Sequence, residues 1–138
     1  MNKYTLEQLV DIRVSEARAL LESGHYEGSY YLAGYAVECA IKACIAKQVR
    51  EHDFPDKNLA QKSHQHDLTE LLGVAGLKQK LVEKGRIDSD FLSYWGVVKD
   101  WAVHARYECS IDSHTASDFL EALTDKNSGV LAWLKTFW

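Results

Sequence analysis

Leu6, Leu9, Val10, Val14, Ala17, Leu20 and Leu21 recur every three or four residues, which is the spacing of one face of an α-helix. The pattern predicts a first helix that starts at Thr5, where Thr5-Leu6-Glu7-Gln8 has the form of a capping box. It ends at the turn Ser23-Gly24-His25. A second helix is expected from Tyr26 to near His52, ahead of Phe54-Pro55. Ala33, Val37, Ala40, Ile41, Cys44, Ile45 and Val49 make its broad apolar face. Gly28, Ala33, Gly34, Ala36 and Ala40 keep one side of it thin. A thin side admits close approach by another helix, which outweighs the poor helix propensity of glycine.

Residues 53–65 are polar and contain proline and asparagine, so they read as a long loop. Asp67 then has the position of an N-cap, with Glu70 completing a box, for a short helix carrying Leu68, Leu71 and Leu72. Gly73 and Gly76 interrupt it, and another short helix is expected over Leu77–Lys84, closed by Gly85. Asp88 or Ser89 caps a longer helix whose core stripe is Phe91, Leu92, Trp95, Val98, Ala102 and Ala105. Val97, Trp101 and His104 fall on the neighbouring strip of that helix. The last helix begins near Ser113 or His114, and Asn127-Ser128-Gly129 bends or divides it. Strand-like alternation, internal repeats and a glycine-rich phosphate loop are all missing from the pattern. The expectation is an all-α protein, an up-and-down bundle of four to five main helices forming one domain over residues 1–138.

Composition agrees with a globular chain. Apolar residues make up 46% and charged residues 26%, ordinary values for a packed domain. A single proline, Pro55, suits a helical chain. No apolar run approaches the roughly 20 residues that a membrane span requires, and the first residues do not resemble a signal peptide. Cys39 and Cys44 lie five apart on one expected helix, a poor arrangement for a disulfide, so a reducing cytoplasmic setting is expected. The net charge of −4 disfavours general attraction to nucleic acid or anionic membrane, and DNA is not an expected partner. RNA binding needs a local basic cleft instead. Lys47, Arg50, Lys57 and Lys62 are one candidate group, and Lys78, Lys80, Lys84 and Arg86 another; the plain alternative is that both are solvated faces.

A family resemblance rests on specific residues. Leu20, Leu21, Gly24, Tyr26, Tyr31, Ala33, Ala36, Glu38, Lys42 and Ala43 follow the order and spacing of HEPN domains (higher eukaryotes and prokaryotes nucleotide-binding). His66-Asp67-Leu68 before Leu71-Leu72 resembles the family's histidine ahead of its third helix. Ala105-Arg106-Tyr107 resembles a triplet found in many members. The resemblance implies a helical fold, a nucleotide or RNA ligand, a cleft built between two subunits, and a small nucleotidyltransferase as partner.

It also implies where chemistry would sit. In HEPN ribonucleases an arginine, often followed by a polar residue, precedes a histidine by four to six intervening residues and cleaves RNA without metal. Here Lys99, Asp100 and His104 stand at that interval, with Arg106 and Tyr107 beyond as further ligand contacts. Histidine suits proton transfer near neutrality, and a cation offsets charge developing on a phosphate. Lysine in place of arginine lacks the planar fork that binds phosphate oxygens in pairs. On a regular helix, positions five apart also point about 140° away from each other. The plain reading is that His104 packs, partly buried, beside Trp101 and Tyr107.

Three other groups carry possible chemistry. Glu38 and Lys42 are four apart, glutamate first, which suits an ion pair, or they face a nucleotide cleft. His64, His66 and Asp67, with His52 nearby, do not have a zinc spacing, so no metal or cofactor is expected, and His66 is a candidate ligand contact. Trp95, Trp101, Trp133 and Trp138 are expected in the core or at a subunit surface. The late apolar group Trp133, Leu134, Phe137 and Trp138 suggests a homodimer. Two function classes follow: a nucleotide- or RNA-binding module, toxin-like or accessory to a nucleotidyltransferase, and an active endoribonuclease using Lys99 and His104. A purely structural interaction domain is a third.

Overall fold

A computed structural model describes residues 1–49, 53, 54 and 56–138 of the chain. The expected helix end at His52, the cation Arg50 and the proline Pro55 lie outside the described residues. The protein is all-α, with no strand among the described residues. Its helices are α1 (Lys3–Glu22), α2 (Tyr26–Lys47), α3 (Lys57–Ser63), α4 (Leu68–Val74), α5 (Lys78–Ile87), α6 (Ser89–Val98), α7 (Ser113–Thr124) and α8 (Val130–Lys135). A 3₁₀ turn, Val103–Tyr107, lies between α6 and α7.

Local chemistry accounts for most boundaries. The first helix starts earlier than Thr5, because the Asn2 side chain caps it by accepting the Thr5 N–H. It stops at Gly24, whose φ of 80° permits the tight reversal. The His25 N–H then returns to the Leu20 carbonyl at 2.8 Å. Asp67, Asp88 and Asp112 cap α4, α6 and α7 through the N–H groups of Glu70, Phe91 and Thr115. The expected loop at 53–65 contains α3, which Asp56 caps by accepting from Asn58 and Leu59. Gly85 does not end α5, which continues to Ile87. Its bare Cα instead leaves room for Leu92, whose Cδ1 would stand 3.0 Å from an added Cβ.

The core runs through one cluster from Val10 to Leu134, with α2 at its centre. The α1–α2 pair is closed by a buried hydrogen bond from Ser29 Oγ to the Ala17 carbonyl at 2.7 Å. On its other sides α2 meets α4, α7, α8 and the 3₁₀ turn. Phe119, Leu120, Ala122 and Leu123 of α7, and Phe91, Trp95 and Val98 of α6, complete the interior. Val49, expected on the apolar face of α2, is instead exposed beyond its end. Asn127-Ser128-Gly129 does divide α7 from α8. Among the described residues no helix is long and apolar enough to cross a membrane.

The largest departure from the sequence pattern is at residues 99–107. The expected helix does not continue to Ala105 but ends at Val98. A continued helix would place Trp101 one turn beyond Val97, on a strip that is 43% exposed at Val97. The chain instead turns so that Trp101 is only 2% exposed. Its indole covers Gly34, where an added Cβ would lie 1.9 Å from Trp101 Cε2. The thin side of α2 therefore receives an aromatic ring at Gly34, while at Gly28 it meets Leu20 of α1, whose Cδ1 would stand 3.2 Å from an added Cβ. The C-terminal apolar group is also redirected: Trp133 and Leu134 belong to this chain's own core, and Phe137 and Trp138 pack partly against it. Phe137 and Trp138 remain partly exposed at that end.

Candidate functional site

Tyr31, Tyr35, Glu38 and Lys42 are spaced by four, three and four residues, so they form one stripe along α2. Glu38 is the most deeply placed polar group of the stripe, 3% exposed. A carboxylate so buried needs donors. Its Oε1 accepts from Lys42 Nζ at 2.8 Å and pairs with His66 Nδ1 at 2.9 Å. Its Oε2 is buried, with no hydrogen-bond partner among the described residues. The expected Glu38–Lys42 ion pair is thus present, and His66 joins it from the segment before α4.

Aromatic rings continue the cluster. The Tyr35 ring lies edge-on to His66 at 6.3 Å, to Trp101 at 5.3 Å and to Tyr31 at 5.0 Å. Burial first, then the hydrogen bond to Tyr31 and the nearby Glu38 charge, push the Tyr35 hydroxyl up to about 12, while Arg106 pulls it down. Arg106 stacks on Tyr107, 4.8 Å from its ring centre. The Tyr107 oxygen first, and Tyr31 after it, hold the Arg106 guanidinium above its ordinary value. Tyr35 is therefore protonated at neutral pH, with the Glu38 carboxylate and the Arg106 guanidinium both close enough to act on it.

Beside this cluster α1 and α2 leave a cleft of 520 Å³, lined by Leu6, Leu9, Arg13, Tyr31, Tyr35, Glu38, Cys39 and Lys42 among others. A smaller hollow continues past Lys42 to Ser63 and His64. Burial first and Glu38 second raise the Cys39 thiol above its ordinary value, which disfavours the reactive thiolate. Cys44 is pushed up to about 11 by burial, and its thiol bonds the Leu134 carbonyl at 3.4 Å.

The residues at the Lys99/His104 interval are arranged differently. Lys99 closes α6 and its N–H bonds the Trp95 carbonyl. His104 is the second residue of the 3₁₀ turn. Both side chains and Asp100 are exposed. No hydrogen bond or ion pair among the described residues joins Lys99 to His104. The plain expectation that His104 is partly buried beside Trp101 is overturned, because Trp101 turns inward and leaves His104 in solvent. The regular-helix angle between positions 99 and 104 no longer applies, since the helix ends between them. Arg106 and Tyr107 are exposed on the same turn, and Arg106 reaches the Tyr31 side of the α2 stripe.

The other basic candidates are partly committed to structural roles. Lys47 bonds the Trp138 carbonyl, Lys84 pairs with Asp88, and Lys80 lies over the Phe137 ring. No group of three His, Cys, Asp or Glu side chains comes together among the described residues. Tyr31 was visible in the sequence only as a spacing match, and Tyr35 carried no signal as a site residue. The clue available for Tyr35 was its position between Tyr31 and Glu38 on one helical stripe.

A family model described as HEPN domain matches residues 11–135. Neither a curated protein nor a solved structure matches the chain.

Proposed function

The chain belongs to the HEPN domain family, and from that premise we propose that it is a nucleotide- or RNA-binding protein whose ligand rests on the cluster around Tyr35. At a coarse level the family supports a nucleotide- or RNA-related function. One observation carries the finer reading. Tyr31, Glu38 and Lys42 lie with Tyr35 on α2 and line a cleft, and His66 and Arg106 join that stripe from distant parts of the chain. Arg106 supplies an exposed guanidinium for a phosphate. Tyr31 and Tyr35 supply aromatic edges and hydroxyls for a base or sugar. As a toxin-like or accessory half of a pair, the protein would act with a small nucleotidyltransferase.

Fluorescence anisotropy with a labelled single-stranded RNA tests this. Wild type should bind, and affinity should fall as salt rises. Arg106→Ala should weaken binding about tenfold or more, the size of one charge-assisted hydrogen bond. Absence of RNA and nucleotide binding by the folded wild type removes the reading.

A second reading is favoured by the exposure of Lys99 and His104 on a segment that Trp101 and Ala105 anchor in the core. In it the protein is a metal-independent endoribonuclease. His104 transfers protons, Lys99 balances phosphate charge, and the cleft forms between two copies. This reading requires a homodimer, so light scattering must give twice the chain mass.

A further inference from the structure

Glu38 and His66 are linked by geometry that decides how the imidazole is used. Glu38 Oε1 already accepts a bond from the Lys42 ammonium, a group that can only donate. A carboxylate held by an ammonium is itself an acceptor, so the nitrogen 2.9 Å from the same oxygen must carry a proton. His66 Nδ1 is therefore the N–H. In the neutral ring Nε2 is then a bare acceptor. The His66 side chain is 47% exposed, and no hydrogen bond among the described residues uses its Nε2. The Tyr35 ring lies edge-on to the imidazole, 6.3 Å between ring centres. Glu38, whose side chain is only 5% exposed and seated on α2, acts as a rigid anchor.

We infer that Glu38 positions His66 so that Nε2 accepts a hydrogen bond from a ribose hydroxyl of the bound ligand, making this cluster the point where ribose is distinguished from deoxyribose. The inference rests on the RNA-binding reading above and adds the group recognised. A neutral imidazole nitrogen repels a phosphate oxygen, since both are acceptors, but it complements an O–H. The 2′-hydroxyl is the donor that RNA has and DNA lacks. Arg106, which stacks on Tyr107, is the phosphate-facing cation in this arrangement.

Two measurements test it. Long-range nitrogen–proton NMR on the wild type, recorded where the imidazole is neutral, should show His66 protonated at Nδ1. A ring protonated at Nε2 overturns the inference without any variant. Anisotropy with matched ribo- and deoxyribo-oligonucleotides should show a preference for RNA of about three- to tenfold, the size of one hydrogen bond. His66→Ala should bring that ratio to about one, by weakening ribo-oligonucleotide binding more than deoxyribo-oligonucleotide binding. A preference that survives His66→Ala overturns the inference even though RNA binding stands; absence of all binding removes the parent reading instead. Glu38→Leu, if folded by circular dichroism, should mix the two His66 tautomers and reduce the preference, whereas Glu38→Gln, whose amide oxygen accepts from the same N–H, should keep the tautomer. An unchanged tautomer in folded Glu38→Leu overturns the positioning role.

Discussion

The indole of Trp101 lies on the bare backbone of Gly34, so closely that a Cβ on residue 34 would stand 1.9 Å from Cε2 and 2.0 Å from Nε1 of the ring. This contact fixes the start of the 3₁₀ turn and so places His104, Arg106 and Tyr107 relative to α2. The neighbouring Tyr31 and Tyr35 rings, 6.4 Å and 5.3 Å from Trp101, rest on the same indole.

Gly34→Ala is therefore expected to cost about 1–3 kcal/mol through overpacking, although alanine is the better helix former. The ring must leave its place, and the turn moves with it. Denaturant unfolding should show the loss in stability, and RNA binding should weaken as well. A variant as stable as wild type would mean that Trp101 is free to shift.

Acid stability follows from the aspartate caps. Asp88 is held below its ordinary value, first by the Phe91 N–H, then by Ser128 and Lys84. Asp112 is lowered in the same way by Thr115. A carboxyl depressed in the folded state adds stability above its unfolded value of about 3.9. That stability is lost as pH falls through the lower folded value. Melting temperature should hold down to about pH 4 as far as these two groups are concerned, then decline. Asp88→Asn with Asp112→Asn keeps side chains able to cap but removes the charges, so its decline in acid should be shallower. Equal slopes would show that other carboxylates govern acid unfolding.

Catalysis, if present, is expected to depend on His104. His104→Ala should abolish cleavage of RNA while leaving circular dichroism unchanged, because the side chain is exposed. Lys99→Arg should raise the rate, since a guanidinium fork fits phosphate oxygens better than an ammonium. Cleavage by His104→Ala at the wild-type rate would exclude this site.

Chelation provides a simple check on His64, His66 and Asp67. Asp67 is already used as the cap of α4, and His66 is bonded to Glu38. A chelator should therefore leave helicity and melting temperature unchanged. A fall in melting temperature that zinc reverses would contradict that expectation.

Much of the fold was legible because its determinants are local. Apolar spacing of three and four residues marks a helix wherever it occurs, and an aspartate one position before such a run caps it whatever lies around it. This is why the start of α2 at Tyr26, the caps at Asp67 and Asp88, the Glu38–Lys42 pair and the division at Asn127-Ser128-Gly129 could be read directly. Each depends on atoms within about one or two turns of helix. The family was legible for a related reason, since its motif residues keep their order along the chain.

Tertiary structure decided the rest. The periodic stripe from Phe91 to Ala105 is compatible with one continuous helix, and nothing local marks an end at Val98. The end follows from Trp101, a large ring that gains more by leaving solvent for the face of Gly34 than it would by staying on an exposed helical strip. His66 meets Glu38 across 28 residues of chain, and Arg106 reaches Tyr31 from a different element again. Those meetings depend on which surfaces the core brings together. The sequence by itself determined the helices, their caps and the set of residues able to act; packing against α2 selected which of those residues share a site.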